Sequence, residues 1–376
     1  MKIKPVKSLV IAIVLFFTFY SLSNTLFCQT PPKEVKNIIL FIGDGMGTAQ
    51  VYGAMTTSEH KLILESFPFI GFSKTYSYNN YVTDSGAGGT AIACGIKTRN
   101  EMIGMSPDSV PVNSILEIAH KNGLATGIVV TSSVTDATPA AFVAHVINRD
   151  YYEDIAKAYL NGTVDVFMGG GEGNFRDRLD SADLTIMLKK QGYDVIYSLD
   201  SLKKSSSRKI AGFLAKGNMP SVRNGRVGVL SEMTRKAIET LSRNKNGFFL
   251  MVEGSLIDKN AHAKNLPASL LEVIDLDDAI GVAKDFADKN KQTLIVVTAD
   301  HETGGLALLN GDMKNHQVAG SFIETGNHTG IMVPIFSYGA GARYFSGIHE
   351  NTFFFYQFIN LINIQVGKSV YQINPN

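Results

Sequence analysis

In three parts of this chain an apolar run is followed by acidic side chains or a histidine. These side chains could bind metal ions. They are Asp44, which lies between two glycines, Glu253, and the adjacent Asp300 and His301. In open parallel sheets the ligand crevice lies beyond the carboxyl ends of the strands, so strands at these runs would bring the polar groups to one sheet edge. This convergence predicts a metal site, although each group alone would also fit a polar turn.

A second group of potential metal ligands contains Asp258, His262 and His328. Asp258 and His262 are four residues apart, so on a helix they would share one face and could bind one ion or form an ordinary surface pair. Glu253 ends an apolar run, and a buried acid there is costly without a cation. Aspartate with histidine favours zinc-like ions, whereas all-oxygen sets favour magnesium, and the chain offers both kinds.

Ser85 lies in a Thr-Asp-Ser-Gly-Ala-Gly-Gly segment that indicates a loop entering a helix of small residues. A serine at a helix N-terminus is ordinarily an N-cap. The same position, however, directs free amide groups and the positive helix end towards an anion. Because the segment has no Gly-x-Ser-x-Gly elbow, a nucleophilic Ser85 would need a metal as its activating base.

A further polar segment begins with Asp136 and Thr138, and Pro139 indicates the first turn of a helix there. Arg149 would lie about three helical turns further on. The planar fork of arginine is suited to bidentate phosphate binding, and a surface salt bridge is the alternative. We interpret His145, within this predicted helix, as a packed structural histidine.

Short β-rich runs alternate with helical patterns from about residue 35 onward, and several runs are apolar on both faces. This predicts an α/β fold with a large, mostly parallel sheet covered on both sides, a three-layer α/β/α sandwich. Residues 203–226 read as a surface loop, and no linker divides residues 29–376, which we predict to form one domain. The predicted strands cover residues 37–42, 124–131, 165–168, 247–252, 293–298 and 332–337, and the predicted helices cover residues 85–94, 112–122, 151–160, 230–241, 269–289 and 351–361.

The N-terminus has the order of a secretory signal peptide: three lysines, an apolar stretch over residues 9–20, and a weakly polar segment. We predict a signal peptide over residues 1–28, with cleavage near Ser23 as the alternative to cleavage just before Gln29, and export to the periplasm or the medium. The apolar stretch is short for a membrane span, and an uncleaved anchor is the alternative. If Cys28 leaves with the signal, Cys94 alone remains and the mature protein has no internal disulfide.

Composition narrows the class of protein. The chain is 45% hydrophobic and 18% charged, which is typical of a folded globular protein, and its formal net charge is +1. No basic field therefore indicates a nucleic-acid-binding surface.

Taken together, these segments resemble the alkaline phosphatase family over residues 36–338, in order and nearly without gaps. The resemblance implies hydrolysis of small phosphate monoesters through a phosphoserine at Ser85, two Zn²⁺ ions, one Mg²⁺ ion and a homodimer. Arg149 and Lys259 would bind phosphate together with Ser85. The matching metal ligands are Asp258, His262 and His328 for the first zinc; Asp44, Asp300, His301 and Ser85 for the second; and Asp44, Thr138, Glu253 and, through a water molecule, Asp136 for magnesium.

Two features place the chain among the varieties of this family, and two alternatives to the resemblance stay open. The pairing of Asp136 with Lys259 resembles the best-studied bacterial members, and the short interval between His301 and His328 leaves little room for the insertion of animal members. One alternative is a phosphodiesterase, sulfatase or phosphoglycerate mutase on the same scaffold, although the sulfatase Cys/Ser-x-Pro-x-Arg context is absent around Ser85. The other is a non-catalytic protein that binds phosphate or metal.

Overall fold

The computed structural model describes residues 34–323 and 326–362. The predicted signal peptide, residues 1–28, lies outside the described residues. Within them, no helix has the length and apolar character needed to cross a membrane.

Ten strands of the described chain form one sheet, and the other four form two small antiparallel pairs, β10 with β11 and β9 with β12. The strands are β1 (Asn37–Gly43), β2 (Phe69–Lys74), β3 (Ala125–Ser133), β4 (Val166–Gly170), β5 (Asp194–Ile196), β6 (Ile210–Phe213), β7 (Phe248–Gly254), β8 (Thr293–Thr298), β9 (Glu302–Thr303), β10 (Ala307–Asp312), β11 (Gln317–Ser321), β12 (His328–Thr329), β13 (Val333–Gly339) and β14 (Gly347–Glu350).

The strand order in the large sheet is β14-β2-β13-β8-β1-β7-β3-β4-β6-β5. All neighbours are parallel except β13, which runs antiparallel to both β8 and β2. The α-helices of the described chain are α1 (Thr48–Thr57), α2 (Ser85–Cys94), α3 (Ile115–Lys121), α4 (Ala137–Ala140), α5 (Tyr152–Ala158), α6 (Glu172–Arg176), α7 (Leu184–Lys190), α8 (Leu199–Lys204), α9 (Val229–Leu241), α10 (Leu256–His262), α11 (Leu266–Asn290) and α12 (Phe353–Leu361).

Strand β1 shows why the sheet is covered on both sides. Every residue of β1 is buried, and successive side chains of a strand point to opposite faces. Ile38 and Leu40 pack into one hydrophobic cluster with residues of α2, α3 and α12. Ile39 and Phe41 pack into a second cluster with residues of α1, α9 and α11. The predicted three-layer α/β/α sandwich is therefore confirmed.

The prediction of a surface loop over residues 203–226 is wrong in its first half. Helix α8 ends at Lys204, and Ile210–Phe213 form strand β6, which is buried between β4 and β5. A four-residue apolar run with a glycine inside it carries almost no periodic signal. Pairing with its two neighbours supplies the backbone hydrogen bonds that hold it in the sheet.

The predicted long helix from Asp136 to Arg149 is also wrong. Helix α4 contains only four residues, and further along the chain Val146 forms an isolated bridge with Ile103. Arg149 therefore reaches the site on a loop. His145 lies outside the helix, where its Nδ1 is 2.7 Å from the Gly104 carbonyl oxygen, which fits the structural role predicted for it.

Candidate active site

Helix α2 places Ser85 at its first turn. The N-cap is Asp84, whose Oδ1 accepts a hydrogen bond from the Ala87 N–H (2.9 Å), so the reading of Ser85 as the cap is wrong. Ser85 is buried, and every residue of α2 is buried with it. A Cβ atom at Gly88 would lie 3.1 Å from the Asp300 carbonyl oxygen. The small residues therefore let α2 approach the end of β8 closely.

Three neighbouring strands deliver the carboxylates to one place. Strands β8, β1 and β7 are adjacent, and Ile42 on β1 lies opposite both Glu253 and Thr298. Asp44 follows β1 directly, Asp300 comes two residues after the end of β8, and both are buried. The pairing register of these three strands therefore places the carboxylates at one edge of the sheet, as expected.

One group of potential metal ligands surrounds the Nε2 atom of His301. This atom lies 3.3 Å from Asp44 Oδ1 and 3.3 Å from Asp300 Oδ2. The Oγ atom of Ser85 lies 3.1 Å from the same nitrogen. The structure therefore brings together the four side chains expected at the second zinc.

A second group lies beside the first. Asp258 and His262 are on one face of α10, with Asp258 Oδ1 3.2 Å from His262 Nε2. His328 Nε2 lies 3.1 Å from His262 Nε2 and 3.6 Å from Asp258 Oδ1. The rings of His301 and His328 stack with their centroids 3.6 Å apart, so the two ligand groups are in direct contact.

The expected magnesium ligands meet at the end of β7. Glu253 is 1% exposed and receives side-chain hydrogen bonds from Ser255 and Thr138, which oppose the rise of its pKa. Asp136 caps α4 through the Ala137 N–H (2.9 Å) and is near enough to Glu253 for its charge to raise that pKa. Oxygen donors predominate here, as magnesium prefers.

Buried negative charge is the dominant electrostatic feature of the site. Burial, and then repulsion from neighbouring carboxylates, raise the pKa values of Asp44 and Glu253 well above their ordinary range. Burial and the charge of Asp258 raise the pKa of Asp300 to about 7. Among the described residues, Asp44 Oδ1, Asp300 Oδ2 and Glu253 Oε2 are buried without a hydrogen-bond partner. These uncompensated oxygens fit divalent cations.

The imidazoles of His301 and His328 favour the neutral state that metal ligands need. Burial lowers the pKa values of His301 and His328, which keeps both rings neutral at alkaline pH. Burial opposes the charged form of Asp258, but the hydrogen bond with His262 and the nearby histidines hold its pKa below the ordinary value. The same hydrogen bond raises the pKa of His262.

Two positive side chains flank these groups. Arg149 Nη1 donates to Asp84 Oδ2 (3.1 Å), and its Nη2 lies 3.5 Å from Asp136 Oδ1. Lys259 Nζ donates to Asp136 Oδ2 (2.9 Å). Burial opposes both charges, but Asp136 and the other nearby carboxylates together outweigh it and raise the pKa values of Arg149 and Lys259, so both stay protonated.

Sequence reasoning assigned no role to several residues that lie beside the proposed site. Asp84 orients Arg149, and Glu302 is buried, where it accepts hydrogen bonds from the Gln50 side chain and the Leu306 N–H. Thr303 contacts both ligand groups. Their positions next to predicted site residues could have indicated them: Asp84 precedes Ser85, and Glu302 and Thr303 follow the Asp-His pair.

Comparison with known proteins agrees with this geometry. The family model described as alkaline phosphatase matches residues 35–320. Alkaline phosphatase 4 of Bacillus subtilis is 38% identical over 75% of this chain, which spans 65% of that relative's length. Alkaline phosphatase of Escherichia coli K12 is 33% identical over 86% of this chain and 85% of its own length.

Solved structures agree as well. The alkaline phosphatase from the Antarctic bacterium TAB5 is 39% identical, with a TM-score of 0.85 over 89% of this chain and 100% of its own. One TAB5 variant, in which a histidine is replaced by aspartate, was solved with Mg bound in a site called M3. Thermus thermophilus alkaline phosphatase is 25% identical, with a TM-score of 0.82 over 90% of this chain and 94% of its own. The chain therefore belongs to the alkaline phosphatase family of phosphomonoester hydrolases.

Proposed function

We propose that the protein is an alkaline phosphatase that hydrolyses phosphate monoesters through a covalent phosphoserine at Ser85. The observation that carries this proposal is the place of Ser85 Oγ, at the N-terminus of α2 and 3.1 Å from His301 Nε2. There the serine is next to the Asp44, Asp300 and His301 group, and the positive helix end favours an anion.

The ligand groups fit two zinc ions and one magnesium ion. We assign Asp258, His262 and His328 to the first zinc, and Asp44, Asp300, His301 and Ser85 to the second. Asp44, Thr138 and Glu253 are assigned to magnesium, with Asp136 acting through water. When bound, the zinc ions would supply Lewis-acid stabilisation of negative charge on the attacking and leaving oxygens. The buried oxygens without hydrogen-bond partners support this assignment.

The residues of the chain then divide the reaction into two displacements. Ser85 Oγ attacks phosphorus as the bond between phosphorus and the alcohol oxygen breaks, and the serine proton passes through solvent to the departing alcohol. In the second step water attacks the phosphoserine, the bond from phosphorus to Oγ breaks, and Ser85 regains a proton as phosphate leaves. Splitting one displacement into two is the gain of covalent catalysis.

Arg149 is the group we assign to the phosphoryl oxygens. Its guanidinium is charged at all working pH values and can bind two non-bridging oxygens at once. Asp84 and Asp136 contact it from two sides, which fixes its plane. Lys259, held by Asp136, adds a second positive charge for phosphate. Positioning and charge stabilisation therefore carry most of the expected catalysis.

Magnesium is supported by the oxygen-rich donors around Glu253 and by the TAB5 variant with aspartate and bound Mg. This chain has an aspartate, Asp136, among the proposed magnesium ligands. We infer that Asp44, Thr138, Glu253 and Asp136 would hold magnesium here, and that the bound ion would tune a water or hydroxide that manages the Ser85 proton.

The test compares hydrolysis of p-nitrophenyl phosphate at alkaline pH by the wild type and by Ser85→Ala, with and without chelator. Activity should vanish in the variant and on chelation. Ser231→Ala is the matched control, because the Ser231 hydroxyl is buried without a hydrogen-bond partner in the described chain. Activity that survives in Ser85→Ala, or that is indifferent to chelator, contradicts the mechanism.

The same assay separates the two alternatives. A phosphodiesterase or sulfatase of the same scaffold would prefer bis-p-nitrophenyl phosphate or a sulfate ester to the monoester. A non-catalytic binding protein would take up phosphate and zinc but turn over none of the three substrates.

Export and dimerisation remain proposals that rest on the N-terminal pattern and the family resemblance. The N-terminal sequence of the mature protein in a cell fraction outside the cytoplasm would test the signal peptide over residues 1–28. Light scattering after size-exclusion chromatography would test the homodimer.

A further inference from the structure

Thr303 lies between the two proposed zinc sites, where its side chain is fully buried. Its Oγ1 lies 2.5 Å from Asp258 Oδ1, in the first ligand group. The same oxygen lies 3.2 Å from His301 Nδ1, in the second. One hydroxyl therefore contacts a ligand of each zinc, and the catalytic steps above do not use it.

The chemistry of these three groups fixes the direction of both hydrogen bonds. The Nε2 atom of His301 faces Asp44, Asp300 and Ser85, so a metal there takes the lone pair of Nε2. A neutral imidazole then carries its proton on Nδ1, which donates to Thr303 Oγ1. The single hydroxyl proton of Thr303 remains for Asp258 Oδ1. The Thr303 hydroxyl thus accepts a hydrogen bond from His301 in the second ligand group and donates one to Asp258 in the first.

The backbone holds Thr303 in this place from three sides. Its N–H donates to the Gly45 carbonyl oxygen (3.1 Å), and its carbonyl oxygen accepts from Gln50 Nε2 (2.9 Å). Thr303 also lies opposite His328 in the β9–β12 pair. Gly45 has φ = 71°, and a Cβ atom there would lie 2.6 Å from Thr303 Oγ1. The glycine beside Asp44 therefore leaves the room that the hydroxyl occupies.

We propose that the Thr303 hydroxyl is a positioning group that orients Asp258 and His301 together and so couples the two zinc sites. This inference rests on the proposed function, because it needs zinc at both ligand groups. Without the hydroxyl, His301 Nδ1–H is left buried without an acceptor, and Asp258 loses a donor. Hydrogen-bond partners of metal ligands typically change metal affinity by about 10–100-fold.

The experiment measures zinc affinity in the purified full chain by competition with a chromogenic chelator. Thr303→Val keeps the shape and removes the hydroxyl, whereas Thr303→Ser keeps the hydroxyl. We expect both zinc equilibria of Thr303→Val to weaken by about 10–100-fold, and Thr303→Ser to bind nearly as the wild type does. Thr126→Val is the matched control, because the buried Thr126 hydroxyl donates to the Thr163 carbonyl oxygen (2.5 Å) near the start of β3, at the other end of the strands from the proposed ligands.

A second readout reports geometry directly. Cobalt(II) in place of zinc gives a visible absorption spectrum that depends on ligand arrangement. This spectrum should change in Thr303→Val and return in Thr303→Ser. If Thr303→Val does not fold, as judged by circular dichroism, Thr303→Ala takes its place with the same expectation.

The outcomes separate this inference from the proposed function. Wild-type protein that binds no zinc would contradict the proposed function and the inference with it. Wild-type protein that binds two zinc ions, with Thr303→Val unchanged in affinity and spectrum, would overturn the inference alone. Equal losses in Thr303→Val and Thr303→Ser would also overturn it, because the hydroxyl would not be the cause.

Discussion

The Nη1 atom of Arg149 lies 3.1 Å from Asp84 Oδ2, and the other oxygen of the same carboxylate caps the helix that begins at Ser85. The Asp84 side chain thus contacts both the proposed phosphate-binding arginine and the helix that carries the proposed nucleophile. Because Arg149 reaches the site on a loop, its orientation depends on this contact and on Asp136.

Asp84→Asn should weaken phosphate binding while leaving the helix intact. Asparagine is as good an N-cap as aspartate, but the neutral amide holds the guanidinium less firmly. We expect the inhibition constant of inorganic phosphate to rise by about fivefold, which corresponds to roughly 1 kcal/mol for one part-buried contact. Inhibition of p-nitrophenyl phosphate hydrolysis measures this, with thermal unfolding alongside.

Two further variants complete that test. Asp84→Ala removes the cap as well and should cost about 1 kcal/mol of folding stability, which Asp84→Asn should retain. Asp108→Asn removes an exposed carboxylate and serves as the control for net charge. Phosphate inhibition that becomes stronger in Asp84→Asn would mean that Asp84 repels the anion more than it orients Arg149.

Arg149→Ala should reduce activity without abolishing it. Ser85 and the ligand groups stay in place, but the two non-bridging oxygens lose a bidentate partner. We expect phosphate inhibition to weaken by about 10–100-fold, from the loss of charge-assisted hydrogen bonds. Arg235→Ala, at an exposed arginine of α9, is the matched control. If phosphate inhibits Arg149→Ala as strongly as the wild type, the assigned role is wrong.

Metal removal should make stability fall as pH rises from about 4, near the ordinary pKa of a carboxyl group, through about 7, the raised pKa of Asp300. In the folded, metal-free chain the pKa values of Asp44 and Glu253 are raised well above the ordinary range, and that of Asp300 is raised to about 7. The folded state then binds more protons than the unfolded state, so its stability falls as pH rises. Bound cations need deprotonated ligands, so they stabilise more as pH rises.

Melting temperatures of metal-loaded and chelated protein measured across that range would check this expectation. The difference between the two should widen with pH. Parallel curves would show that the buried carboxylates do not bind the ions.

Glu253→Gln should show which effects depend on the charge of Glu253, because glutamine keeps nearly the same shape without the charge. The metal-free variant should be less sensitive to pH than the wild type, because one buried carboxylate with a raised pKa is gone. Stabilisation by added magnesium should be lost. Thermal unfolding with and without magnesium measures both effects, and Glu239→Gln at an exposed position of α9 is the control. Magnesium stabilisation that survives in Glu253→Gln would remove this residue from the ligand set.

Cys94 should not react with a thiol reagent until the protein unfolds. The side chain is 3% exposed, and burial raises the pKa of its thiol. Only the thiolate reacts with Ellman's reagent. Titration of mature protein should therefore find no reactive thiol in buffer, where Cys94 is buried, and about one per chain in guanidinium. Rapid reaction of the folded protein would contradict the burial. Two thiols in guanidinium would mean that Cys28 is retained and the predicted cleavage is wrong.

Sequence patterns were sufficient where a local period or a motif specified the element. The apolar runs at β1 and β8 predicted buried strands, and the small-residue run predicted α2 over Ser85–Cys94. They failed where an element depends on distant partners. Strand β6 is too short to show a period, and beyond helix α4 the chain does not continue the helix but pairs Val146 with the distant Ile103.

Residue types and their order therefore determined which side chains could bind metal and phosphate, because carboxylates, imidazoles and arginine have fixed chemistry. Only the tertiary structure decided how they meet. The order β8-β1-β7 brings Asp300, Asp44 and Glu253 together, and their shared burial favours a bound cation. Asp84 and Thr303 acquire their roles in the same way, because a hydrogen bond depends on distance and direction, which residue order alone does not fix.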